Sequence, residues 1–409
     1  MKRFFFIVIL FSAFSLLMAG CLPLATVPVS SSTSAPVEPT VEVLPVEPDG
    51  GPGNTPATGQ PGDPTQPLTE SIVAFVGQDG NIALLNVASG QKTPVTSDAA
   101  TYGPDNSTPV VIYQNPKWSS DGRYLAFERQ VGTPSKEGFD FAYALLVYDF
   151  ESGETRVAQD GLQTAGFAWK PGTHLLAFGL AVQPGYFVTR GGVDSSLATG
   201  ISAVDVDTLS GSRLVAPENG FALVNPNWSP DGRILSFEEV NYMEGRGNFA
   251  FYDFTAGAFT HWDKAIGSVS WAPDGSKLLH DNLNYAPSFS ERIFEINRDG
   301  SNERQLTPDA ENAYAYNPLY SPDGSQIAYI AARGQDTDTT AALMVMPASG
   351  GEARELASQA QIYTLAWTPD GQNLLASTGN YPDLKVTLIA LADGSQTALA
   401  DGWQAVMRP

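Results

Sequence analysis

The sequence is poor in the residues that most often mark chemistry. Its 409 residues hold one cysteine and three histidines. The single cysteine, Cys21, has no partner for an internal disulfide. No His-Glu-x-x-His, Cys-x-x-Cys or Gly-x-Ser-x-Gly occurs, so zincin, dithiol and nucleophile-elbow chemistry lack their usual signals. His174, His261 and His280 read as structural. Asp205-Val206-Asp207 and Asp336-Thr337-Asp338 have the acid spacing of a calcium loop without its glycine and distal glutamate. Neither a catalytic residue, nor a metal ligand, nor a cofactor is assigned. Positive charge is scarce too: 22 Lys and Arg face 44 Asp and Glu, for a net charge of −22. That balance disfavours nucleic acid, whose binding rests on neutralised phosphates, and electrostatic adhesion to anionic lipid.

What the chain has in abundance is one recurring stretch. Asn227-Trp228-Ser229-Pro230-Asp231-Gly232 is followed by an apolar run, Ile234 to Phe237. Close copies begin at Trp118 (with Asp121), Trp271 (with Asp274) and Trp367 (with Asp370). Tyr320, with Asp323, exchanges indole for phenol, and Trp169 opens a copy without the Asp. The aromatics lie 51, 59, 43, 49 and 47 residues apart, a period that signals a repeat architecture. Proline presets a turn, Asp bonds backbone N–H groups two residues on, and Gly accepts positive φ. Each copy therefore reads as a hairpin. A second strand pair follows, as at Leu145 to Gly153, Phe249 to Gly257, Ile293 to Gly300, Leu343 to Gly350 and Thr387 to Gly394. Four short strands per repeat make one propeller blade, so the expected class is all-β. The aromatics are expected to pack between blades, and the acids to satisfy their turns.

The ends bear on the blade number. Ile72 to Phe75 aligns with the strand after a motif turn, and Ala405 to Pro409 aligns with Leu365 to Pro369. One blade built from both termini gives seven; six is the alternative. Before this unit, Lys2 and Arg3 precede an apolar run from Phe4 to Leu17, a secretion signal too short to span a membrane. Leu22 to Thr69 contains eleven prolines and no Lys or Arg. It reads as a disordered tether, ~40 Å long as a coil and ~150 Å if extended. The expected organisation is a signal over 1–20, Cys21 and tether over 21–69, and the propeller over 70–409.

Two resemblances follow from these residues. The Trp-Ser-Pro-Asp-Gly hairpins resemble the WD-like β-propeller repeats of the TolB type, which also occur in the propellers of prolyl oligopeptidase relatives. Propellers host many unrelated activities, so this implies a fold and not a function. Leu17-Met18-Ala19-Gly20-Cys21 resembles a bacterial lipobox, with Met18 in place of the more usual Leu. It implies that Cys21 is lipidated and anchors the protein in the cell envelope.

The loops between second and third strands are long and irregular, whereas the motif turns are uniform. Gln130 to Ala142, Leu180 to Thr199, Glu239 to Gly247, Asp281 to Glu291, Ala331 to Thr340 and Thr378 to Lys385 are the stretches concerned. They carry Phe139, Tyr186, Arg190, Tyr242, Arg246, Tyr285, Arg333 and Tyr381, residue types that dominate binding hot spots. These eight define a candidate ligand-binding face. The expected function is a lipid-anchored binding or scaffold module for an envelope protein or glycan. A carbohydrate-active hydrolase or lyase is the rival reading, and a purely structural envelope protein is the third.

Overall fold

The computed structural model describes residues 71–409, apart from 104–106, 137, 182–198, 219–220, 241–247, 285–289, 309–312, 334–339 and 360. Cys21 and the tether lie outside the described residues. Every regular element among the described residues is a β-strand, and none is a helix.

In chain order, β1 (Ile72–Gly77), β2 (Ile82–Asn86) and β3 (Lys92–Pro94) form an antiparallel run. One sheet comprises β4 (Val110–Trp118), β5 (Tyr124–Ser135), β6 (Gly138–Asp149) and β7 (Thr155–Asp160). The next holds β8 (Thr164–Trp169), β9 (Leu175–Leu180), β10 (Ile201–Asp205) and β11 (Ser210–Val215). It is followed by β12 (Ala222–Trp228), β13 (Ile234–Val240), β14 (Asn248–Asp253) and β15 (Ala258–Ala265). Then come β16 (Val269–Trp271), β17 (Lys277–Asn284), β18 (Ser290–Asn297) and β19 (Arg304–Gln305). A single bridge, Glu291 to Tyr314, joins these to β20 (Ala313–Tyr320), β21 (Gln326–Arg333), β22 (Thr340–Pro347) and β23 (Arg354–Gln359). The last four are β24 (Ile362–Trp367), β25 (Asn373–Thr378), β26 (Lys385–Ala390) and β27 (Gln396–Met407).

β27 is twice the length of its neighbours and does two jobs. Gln396 to Asp401 pairs with β26, and Gly402 to Met407 pairs with β1. The first and last strands of the described chain are thereby hydrogen-bonded, Val73 opposite Met407.

The motif builds each hairpin by local chemistry. Ser229 Oγ donates to Asp231 Oδ1 at 2.6 Å, and that oxygen also accepts the Arg233 N–H at 3.1 Å. Ser229 Oγ in turn accepts the Ile234 N–H at 3.0 Å. Gly232 sits at φ 65°, where a Cβ is strained. Ser119 with Asp121, and Ser321 with Asp323, repeat the arrangement, as do Thr368 and Asp370. Ala272 has no hydroxyl, and Asp274 bonds Ser276 instead. Lys170 replaces the serine in the copy without Asp, and Thr173 caps that turn through Lys170 C=O and the Leu175 N–H.

The core sits between sheets. Tyr124, Leu145, Phe167, Leu176 and Val204 join the β4–β7 sheet to the β8–β11 sheet. Trp228, Phe237 and Leu223 belong to the cluster that joins the latter to β12–β15. Analogous clusters join each later pair of consecutive four-strand groups. Two more involve β1 and β2, one with β4–β6 and one in which Val73 and Phe75 meet Leu375, Val386 and Leu388. Trp118, Trp169, Trp228, Trp271 and Tyr320 are buried in these seams, and Trp367 is partly buried. Trp169 Nε1 reaches across to Lys117 C=O at 2.9 Å, and Trp367 Nε1 to Leu319 C=O at 3.3 Å.

Two stretches differ from the sequence expectation. In Asp281 to Glu291, Asp281 to Asn284 continue β17 and pair with Ser290 to Ile293 of β18 instead of forming a loop. Gln130 to Ala142 is not an irregular loop but the outer half of a twelve-pair hairpin, Tyr124 opposite Asp149 through Ser135 opposite Gly138. Val131 and Thr133 on one strand, with Phe139, Phe141 and Tyr143 on the other, are strand-favouring residues at a period of two. Gly132 has no side chain to displace the rings of Phe139 and Phe141 that cover it.

Candidate functional site

Three polar or aromatic features stand out, and they differ in how completely their groups are used. The first lies on the motif-turn side. His174 Nδ1 is 2.7 Å from Asp207 and its Nε2 2.8 Å from the motif carboxylate Asp121. Tyr124 Oη donates to Asp207 at 2.6 Å. Burial alone would lower the His174 pKa, but the hydrogen bonds that its ring donates to Asp121 and Asp207 outweigh it and raise it. Burial works the other way on Asp121, yet the bonds to His174 and Ser119 hold its carboxyl down at about 2. In another seam, Tyr320 Oη donates to the buried Glu295 at 2.9 Å, which also receives Lys277 and Arg304. These groups are spent on one another.

The second feature is a belt at the first strands of the sheets. A register shift interrupts the pairing of β4, β8, β12, β20, β24 and the end of β27. Asn115, Asn225, Asn317 and Gln404 take positive φ there, and Gly166 does the same. Gln404 and Asn115 exchange two hydrogen bonds, Asn115 N–H to Oε1 at 2.8 Å and Nε2–H to Oδ1 at 2.9 Å. Asn115 also donates to Glu128 at 2.7 Å, which binds Thr164 as well. Asn225 donates to Glu238 at 2.9 Å. Asp281 accepts the N–H groups of Ser268 and Asn317, both at 3.0 Å. Sequence reasoning missed this belt. Its signal was present: Asn115-Pro116, Asn225-Pro226 and Asn317-Pro318 each stand three residues before a motif aromatic.

The third feature lies on the side opposite the motif turns, where second hairpin loops and inter-sheet links fall. Phe139, Phe141 and Tyr143 form a ring ladder on one face of β6, with centroids 6.0 and 6.2 Å apart. Tyr102, from the link before β4, meets Phe139 edge-on at 5.3 Å. Tyr102 is 51% exposed, Phe141 39% and Tyr381 56%. Burial against its neighbours raises the Tyr102 hydroxyl pKa, and burial followed by the nearby Tyr102 does the same for Tyr143.

Of the eight candidate face residues, Phe139 lies in this ladder and Tyr381 is exposed in the β25–β26 loop. Arg333 ends β21 opposite Thr340. Tyr186, Arg190, Tyr242, Arg246 and Tyr285 lie outside the described residues. Phe141, in the stretch Gln130 to Ala142, and Tyr102, in the link Ser97 to Asn115, are expected on this face from the sequence; Tyr143, one residue past that stretch, is not. The histidines divide. His261 Nδ1 is 3.0 Å from the buried Glu239, and its pKa is raised chiefly by that bond. His280 is buried beside Glu303, and burial lowers its pKa. Among the described residues no group of three or more His, Cys, Asp or Glu is placed to hold a metal ion.

An all-β array of four-stranded repeats, with aromatics sealing the seams, defines the β-propeller class. A family model described as the TolB beta propeller domain matches residues 185–405, and the chain belongs to that family. The Tol-Pal system protein TolB of Anaeromyxobacter dehalogenans (strain 2CP-1 / ATCC BAA-258) is 34% identical over 101 residues. That match covers 23% of this chain and 20% of the relative, so only about a fifth of the relative's length is spanned. Among solved structures, an oligogalacturonate lyase in complex with manganese superposes with a TM-score of 0.55 at 15% identity, covering 81% of this chain and 85% of the other. A structure from an analysis of two prolyl endopeptidases gives a TM-score of 0.54 at 13% identity, covering 87% and 53%. At such identities the likeness is one of fold alone.

Proposed function

We propose that this protein is a lipid-anchored envelope β-propeller of seven blades that binds a partner protein or glycan through the face carrying Tyr102, Phe141 and Tyr381. The observation that carries this reading is the contrast between the two sides. Motif-side polar groups are consumed by their own turns and by the His174 and Glu295 networks. Among the described residues, the exposed large aromatics lie on the other side. Exposed aromatic patches mark interaction surfaces, and loops on a rigid scaffold are where binding residues collect.

The reading of seven blades is supported by a count of equivalent hydrogen bonds. The residue after each motif aromatic donates its N–H to the start of the next strand: Ser119 to Tyr124, Lys170 to Leu175, Ser229 to Ile234, Ala272 to Lys277, Ser321 to Gln326 and Thr368 to Asn373. Arg408 N–H to Ile72 C=O is the seventh, made between the two ends of the described chain. The core cluster of Val73, Phe75, Leu375 and Val386 supports the same closure.

In this reading Cys21 carries the lipid and residues 22–69 hold the propeller away from the membrane. No catalytic role is proposed. A hydrolase reading would need two carboxylates poised over a cleft. Instead the belt carboxylate Glu128 is engaged by Asn115, Gln114 and Thr164. The testing experiment is affinity capture with the full chain from crosslinked envelope extract, beside a Tyr102→Ser, Phe141→Ser, Tyr381→Ser variant. A partner recovered by the parent and lost by the variant is expected. Identical recovery from both would refute the assignment of the face.

A further inference from the structure

The β5–β6 hairpin has two edges of different character. Its inner edge, beyond the last pair with β4 (Val110 opposite Gly132), carries Pro134. Proline has no N–H to offer, a device that blocks further pairing. Its outer edge carries no such block. β7 pairs with β6 only from Ala144 onward, and the Gly161 N–H closes the ladder on Tyr143 C=O at 3.0 Å.

Beyond Tyr143 the pleat decides which groups point outward. Residues 139 and 141 share the phase of Tyr143 in an unshifted ladder, so their N–H and C=O groups also face away from β5. Among the described residues no strand pairs with that edge. Four backbone groups in a row thus stand at the surface, beside the rings of Phe139 and Phe141.

The two faces of this edge differ in chemistry. Phe139, Phe141 and Tyr143 make the odd face apolar. Asp140 lies on the even face, exposed, and Asp160 opposes Ala144 on that same face. The Asp140 side chain has no hydrogen bond or ion pair among the described residues, its backbone pairing with Thr133 in the ladder. A strand continuing the line of β7 would place alternate side chains against the rings and against these two carboxylates. Cross-strand pairs of this kind, aromatic with aliphatic and opposite charge with charge, stabilise a sheet.

We propose that the outer edge of β6, from Gly138 to Tyr143, accepts an added β-strand from an extended peptide segment of alternating apolar and basic residues. The proposal rests on the reading of this side as the binding face and names the class of partner. The net charge of −22 favours a basic segment over a second, equally acidic copy of this chain.

The test uses the full chain, purified in detergent, and a fluorescein-labelled heptapeptide of alternating Val and Lys, read by anisotropy. Saturable binding is expected. Two further peptides carry N-methyl groups on one or the other alternating set of amides, and one of the two should bind at least tenfold more weakly. A Val–Glu peptide should be weakened similarly. Phe141→Pro removes an outward N–H and should abolish binding, whereas Phe141→Leu keeps the edge and should weaken it less. The methylated peptides need only the unaltered protein, so a misfolded variant does not decide the matter. Equal binding of all three Val–Lys peptides would overturn the proposal, as would none at millimolar peptide. Dimerisation abolished by Phe141→Pro, without peptide binding, would overturn it in favour of a second copy. An envelope partner captured by the aromatic face without peptide binding would leave that face standing and remove strand addition.

Discussion

At the scale of single residues, the motif separates packing from turn chemistry. Trp228 fills a seam between sheets, while Asp231 bonds its own turn at the surface. Trp228→Ala should therefore cost about 3–5 kcal/mol and Asp231→Ala about 1 kcal/mol in urea unfolding. Equal losses would contradict this division. The phenol at position 320 has its own logic, since only a hydroxyl there meets the buried Glu295. The histidines give a pH signature of two signs. The His174 pKa is raised in the folded state, so its stabilising contribution is full below the ordinary histidine value and fades as pH rises through the raised one. The melting temperature of the parent relative to His174→Gln should accordingly be highest near pH 6 and fall toward pH 8. His280 is held neutral by burial, so its contribution fades as pH falls below the ordinary value. His280→Gln should remove that acid-side loss. Two parallel slopes would refute the assignment.

Elements show what could be read from the chain and what could not. Hairpins at Trp118, Trp228 and Tyr320 were legible because Ser-x-Asp-Gly makes its turn from neighbouring atoms alone. The β5–β6 hairpin was not, because Gly132, Pro134 and Gly138 punctuate it like a loop. Only the packing of Phe139 and Phe141 over Gly132 turns that glycine from a break into an asset. The belt stayed hidden for another reason. A register shift is decided by contacts between repeats, such as Gln404 with Asn115 across 289 positions. Asparagine tolerates the left-handed region better than most residues, and a β-branched side chain does not. Asn225 sits at φ 53°, so Asn225→Val should cost on the order of 1–3 kcal/mol more than Asn225→Gly by thermal unfolding. Similar losses from both would show that the amide hydrogen bond, not the backbone, is what matters there.

At the scale of the whole molecule, β27 is the strand on which the proposed ring depends. Its second half covers the edge of β1, and Met407 and Ala405 share a core with Val73 and Phe75. Removing residues 403–409 should uncover that edge and lower the melting temperature by more than shortening the β25–β26 loop between Thr378 and Lys385. Light scattering should show the truncated protein associating, as unpaired edges do. A cooperative melt unchanged by the truncation would contradict closure through β27. The ring, once closed, leaves two sides with different fates, one sealed by repeated turns and one presenting aromatic rings.

The central claim is that partners are met on the aromatic side. It is tested most directly by placing a photocrosslinking residue in cells at Tyr102, at Tyr381 or at Leu209, all exposed, with Leu209 in the β10–β11 turn on the motif side. The account predicts light-dependent adducts of a common mass from positions 102 and 381 and none from 209. Adducts from 209 alone would contradict it.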